Sequence, residues 1–70
     1  MKMNLNNYGK GDLVKFVRQW SGLTQLEFAK RMGKSKRTIE QYEAGTVNYK
    51  INFIEKMMKE FDLIITIEKK

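Results

Sequence analysis

Two helix-start signals, Thr24 and Ser35, lie eleven residues apart, and each is followed within ten residues by a glycine, Gly33 and Gly45. That spacing allows only two short helices joined by a turn of about three residues. Helices so short draw little stability from intrinsic propensity and must be held by packing. They therefore have to share one core with the rest of the chain. Thr24-Gln25-Leu26-Glu27 fits a capping box, in which the Thr24 hydroxyl accepts from the Glu27 backbone N–H and the Glu27 carboxylate accepts from that of Thr24. Phe28, Ala29 and Met32 form the apolar stripe of this helix, and Gly33 ends it because glycine takes positive φ without strain. After Ser35 only Ile39 and Tyr42 are apolar anchors before Gly45. The remaining perimeter, Lys36, Arg37, Thr38, Glu40, Gln41 and Glu43, is polar. Such a helix is either an ordinary surface element or one held out to be read against a partner.

The flanking segments supply the other elements. Leu13, Phe16, Val17 and Trp20 recur at helical spacing, with Asp12 as N-cap and Gly22 just past the C-terminus, which predicts a helix over residues 12–21. Ile51, Ile54, Met57, Met58 and Phe61 predict a fourth helix over residues 50–61. Residues 63–67 then alternate with a period of two and are rich in β-branched side chains, as a strand requires. Residues 1–9, with Met1, Met3 and Leu5 alternating, form a short strand or a disordered arm. The expected class is mainly α, with four helices in residues 10–62, an N-terminal arm over 1–9, and a strand with a basic tail over 63–70.

Composition bounds the function. A chain of 70 residues is one domain near the lower limit of independent stability, so a second subunit is expected to contribute core. Cysteine and histidine are absent, which removes disulfides and the commonest ligands of transition metals. No metal, cofactor or catalytic residue is expected. The missing groups also leave general base and nucleophile roles to side chains that show no well-spaced pair or glycine-rich phosphate loop. No apolar run is long enough to span a bilayer and no secretory signal is visible, so the expected location is cytoplasmic. The formal charge of +6, from 14 Lys+Arg against 8 Asp+Glu, favours a polyanionic partner, although many small basic proteins use such charge only for solubility.

A short helix, a turn containing glycine and a second short helix with a polar outer face form a helix-turn-helix signature, whose second helix enters the DNA major groove. Lys36 and Arg37 lie in the first turn of that helix and Gln41 one turn later. Arg or Lys pairs with guanine O6 and N7, and Gln with adenine N6 and N7. Leu23-Thr24-Gln25, Ala29, Gly33, Ser35, Thr38-Ile39, Tyr42-Glu43 and Gly45 resemble the Cro/cI-type (XRE-like) helix-turn-helix family, and the resemblance covers residues 12–62.

The resemblance implies a lambda-repressor-like domain that binds double-stranded operator DNA as a homodimer, with base contacts from Lys36, Arg37 and Gln41. It implies backbone contacts from Gln25 and from the loop over residues 46–50. The full expected backbone set is Gln25, Lys34, Ser35, Thr38, Thr46, Asn48, Tyr49 and Lys50. Arg18 and Glu43 match a structural ion pair. Lys34 and Leu26 depart from the usual pattern, Lys34 as an added phosphate contact or a neutral surface change, and Leu26 as an exposed leucine. The usual fifth helix is replaced by the C-terminal strand, similar to HipB-like antitoxins and some Cro-like repressors. Leu63, Ile64, Ile65, Thr66 and Ile67 are therefore the expected dimerisation residues, either paired with a second copy or with residues 3–6 of the same chain. A repressor from a prophage or other mobile element is the leading expectation; an antitoxin-like module that binds a toxin, or a chain bound by an anti-repressor, is the alternative.

Overall fold

The computed structural model describes residues 2–4 and 10–66, with side chains over residues 11–64. The elements are β1 (Lys2–Asn4), α1 (Lys10–Trp20), α2 (Gln25–Met32), α3 (Lys36–Ala44), α4 (Ile51–Phe61) and β2 (Ile64–Thr66). Both helix starts in the middle of the chain form as their caps require. The Thr24 hydroxyl accepts from Glu27 N at 3.1 Å, and Glu27 Oε1 accepts from Thr24 N at 2.9 Å. Ser35 caps α3 by accepting from Thr38 N at 3.1 Å. Gly33 and Gly45 stop the two helices at φ of 67° and 76°, where their N–H groups return to the last-turn carbonyls.

Three expectations at the edges are corrected. Helix α1 begins two residues before Asp12, which therefore stands inside the first turn, near the positive end of the dipole, rather than at the N-cap. Trp20 is half-exposed at the end of α1, whereas Val14 joins Leu13 and Val17 in the core and Phe16 packs at its margin. On α4 the buried positions are Phe53 and Met57, while Ile51 is exposed and Ile54, Met58 and Phe61 are partly buried. Helical periodicity admits both faces of α4; contact with α2 selects the one carrying Phe53 and Met57.

Phe28, Ala29, Met32, Ile39 and Tyr42 complete the core, with Leu63 entering it just before β2. The Phe28 and Phe61 rings stack at 5.2 Å, and the Arg31 guanidinium lies 4.9 Å from the Phe61 ring centre. Helices α2 and α4 cap each other: Lys56 Nζ donates to Met32 O at 3.1 Å, and Arg31 donates to Glu60 O at 3.2 Å. Each cation sits where a helix end leaves carbonyls without intrahelical donors.

Helix α3 packs against both α1 and α2. The approach to α1 is close at Gly11, where a Cβ would collide with the Glu43 carbonyl and lie 3.1 Å from Tyr42 O. No larger side chain fits without moving one helix.

Strands β1 and β2 pair in parallel within the chain, Lys2 opposite Ile64, Met3 opposite Ile65 and Asn4 opposite Thr66. Intrachain pairing thus occupies one edge of β2, and Leu63 gives its side chain to the chain's own core rather than to a partner. The expected arm over residues 1–9 is described only at β1. Ile67, residues 5 and 6 of the expected pairing segment, and the basic tail over 68–70 lie outside the described residues.

Candidate nucleic-acid interface

Ile39 and Tyr42 anchor α3 and are buried, which leaves the first turn of the helix projecting outward. Lys36 and Arg37 are both exposed. Arg37 has no side-chain partner among the described residues. Lys36 Nζ lies 4.0 Å from Glu40 Oε1, an exposed pair one turn apart that contributes little to stability. Gln41 follows Arg37 by four residues, on the same side of the helix, and is partly buried. Arg37 and Gln41 therefore lie on one side of α3, with exposed Lys36 next to Arg37 in the first turn. Glu40 adds an acceptor beside them that the sequence pattern alone did not single out, and a carboxylate can accept from cytosine N4.

The surrounding polar residues divide by what they already hold. The Ser35 hydroxyl and Thr38 Oγ1 lie 2.9 Å apart, so both belong to the α3 cap. Thr46 Oγ1 donates to Gln41 O at 3.3 Å and tightens the C-terminal end of the same helix. Asn48 and Lys50 are exposed in the following loop. The Tyr49 ring is half-buried, edge-on to Tyr42 at 5.5 Å and tilted against Phe53 at 5.5 Å, and burial pushes its hydroxyl pKa up. Packing accounts for that ring, which ties the loop to α3 and α4. Lys34 is exposed in the turn between α2 and α3.

Arg18 and Glu43 connect this face to the interior. Arg18 Nε donates to Glu43 Oε2 at 2.6 Å and its Nη2 to Oε1 at 3.1 Å, a bidentate grip across α1 and α3. Arg18 Nη1 also donates to Leu23 O at 3.1 Å, joining the α1–α2 turn to the same cluster. The side chains are 16% and 7% exposed, enough burial for the pair to count in the fold. Hydrogen bonding to Glu43 raises the Arg18 pKa against the opposing effect of burial, so the guanidinium stays charged. Gln25 Nε2 donates to Glu43 Oε1 at 3.4 Å, which places the start of α2 on the same carboxylate that orients α3.

Among the described residues no group of His, Cys, Asp and Glu is arranged to hold a metal ion, and no helix is long and apolar enough to cross a membrane. Comparison with known families finds a match to the helix-turn-helix family model over residues 14–64, from α1 into β2. No curated protein and no solved structure matches.

Proposed function

This chain belongs to the XRE-type helix-turn-helix family of DNA-binding transcription regulators, and from that premise we propose that it is a dimeric repressor reading an inverted repeat through α3. The observation that carries the reading is the first turn of α3. Its cap is satisfied and its apolar anchors are buried, yet Lys36 and Arg37 stand exposed where a groove-inserted helix meets base edges. Lys36, Arg37 and Gln41 are the proposed base contacts, and Gln25, Lys34, Ser35, Thr38, Thr46, Asn48, Tyr49 and Lys50 the proposed backbone contacts. Arg37 and Gln41 offer bidentate donor patterns for guanine and adenine, whereas the cations around them attract phosphate without regard to sequence.

Two copies place two α3 helices on one face of a duplex, about 34 Å apart, when a two-fold axis relates them. The proposed contact between copies is the free edge of β2. Ile64 is 58% exposed, and β2 has one neighbouring strand among the described residues. An edge strand of this kind accepts a second copy by main-chain hydrogen bonding. Occupancy of the operator then excludes polymerase, with protein concentration as the simplest control.

Selection of bound duplexes from a randomised library at about 150 mM salt tests the reading. The expected result is an enriched inverted repeat with half-sites about 10 base pairs apart. Recovery of unbiased sequences would overturn the sequence-specific reading and move a protein partner, as in an antitoxin, to first place.

A further inference from the structure

Two neighbouring clefts open beside the entrance of α3, and they share the wall made by Lys34, Asn52 and Phe53. Lys56 lines one of them and Lys50 the other. The cations come from three parts of the chain: Lys34 from the α2–α3 turn, Lys50 from the end of the loop before α4, and Lys56 from the second turn of α4. No carboxylate lines either cleft. Lys34 and Lys50 have no side-chain partner among the described residues. The Lys56 ammonium lies 3.2 Å from where a Gly33 Cβ would stand and donates to Met32 O at 3.1 Å. An ammonium carries three donors, so two remain beyond that bond.

The two adjoining clefts make one trough lined by three cations, of which Lys56 alone is partly offset, by the α2 carbonyl it caps, and these like charges repel one another in the free protein. An anion seated among them relieves that repulsion and gains several charge-assisted hydrogen bonds. Lys34 immediately precedes the Ser35 cap, so the trough adjoins the exposed first turn of α3. A duplex whose bases meet Lys36 and Arg37 carries a sugar-phosphate strand past this point. We propose that the trough of Lys34, Lys50 and Lys56 seats a DNA-backbone phosphate, and that Lys56, from α4, is a further positioning contact for the duplex. The assignment rests on the DNA-binding reading above. It extends the protein's grip to α4, and it gives Lys56 two roles, since the same ammonium caps α2.

The test is the dependence of duplex affinity on salt, measured for the full chain on a random-sequence duplex and on any enriched one. Lys56→Gln and Lys34→Gln are each expected to lower the slope of log affinity against log salt by about one unit, alike on both duplexes. Lys56→Arg keeps the slope. Lys15→Gln removes an exposed charge on α1 that lines neither cleft, and leaves the slope unchanged. Because Lys56→Gln also removes the α2 cap, a second readout uses the unaltered chain: the nitrogen resonance of the Lys56 ammonium shifts when random duplex is added at low salt. A wild-type slope in Lys34→Gln and Lys56→Gln, or an unmoved Lys56 resonance in a chain that binds duplex, overturns the trough; the first result also strikes Lys34 from the backbone contacts, and either leaves DNA binding through α3 standing. A wild-type chain that binds no duplex at all overturns both.

Discussion

At the scale of single residues, the positions that matter most for the interface are those that hold α3 in place without facing solvent. Glu43 is gripped by Arg18 and also accepts from Gln25. Glu43→Ala strands the Arg18 charge against the core, and the expected loss is about 2 to 3 kcal/mol, or a fall in melting temperature above about 10 °C. A fall under about 2 °C would show that water already satisfies Arg18. Gly11 acts by absence of a side chain. Gly11→Ala is expected to cost about 1 to 3 kcal/mol by overpacking the α1–α3 crossing, and to weaken cognate duplex more than random duplex because α3 is displaced. Equal weakening of both, measured by titration, would mean that α3 keeps its orientation. Arg37→Ala touches nothing inside the protein, so it should leave the melting temperature alone while lowering cognate affinity by about 1 to 3 kcal/mol.

At the scale of elements, the helix pair is delimited by its caps. Ser35→Ala removes the acceptor for Thr38 N and should cost about 1 kcal/mol in thermal unfolding. No measurable change would show that water replaces the hydroxyl. The Glu27 carboxyl has its pKa lowered, first by the bond from the Thr24 backbone and then by the Thr24 side chain. A lowered folded-state pKa means that the unfolded chain binds the proton more tightly. The stabilisation is therefore complete above the ordinary carboxylate range and is lost as pH falls through the depressed value. Glu27→Gln should flatten the acid side of the stability profile near that range and leave its neutral-to-alkaline shape unchanged. An identical acid limb in the variant, followed by thermal unfolding across pH, would exclude the capping carboxylate as its source.

The whole molecule joins one small core to a short parallel pair of strands, and Leu63 and Ile64 divide those tasks between adjacent positions. Leu63 is 5% exposed and Ile64 is 58% exposed. Leu63→Ala should therefore destabilise each chain by about 2 to 4 kcal/mol as a cavity-forming change. Ile64→Lys should leave the fold intact and weaken association of copies, read by equilibrium sedimentation. Association unchanged in Ile64→Lys would move the proposed two-fold contact away from β2. Loss of the dimer should also reduce affinity for an inverted repeat more than for an isolated half-site, since the second half-site then binds without the benefit of linkage.

Much of the architecture was legible because its signals are local. Thr24 with Glu27, Ser35 with Thr38, and the glycines at 33 and 45 act over three or four residues, within one turn of helix, so their chemistry specifies where α2 and α3 begin and end in any tertiary setting. The outward first turn of α3 follows from the same logic, as Ile39 and Tyr42 are its only apolar anchors. Choices among equivalent faces could not be read that way. Periodicity allowed α4 to bury Ile51 or Phe53, and α1 to bury Trp20 or Val14, and the packing of α1 on α3 and of α2 on α4 decided both. The pairing of β2 with Lys2–Asn4 and the arrival of Lys56 beside Gly33 also join positions far apart in the chain, which no short-range pattern encodes. The sequence by itself determined the helix pair and the residues it displays, because those depend on contacts within a turn. Only the tertiary structure decided which apolar faces are buried, what β2 pairs with and which distant lysine caps α2 beside Gly33, because those depend on how whole elements cross.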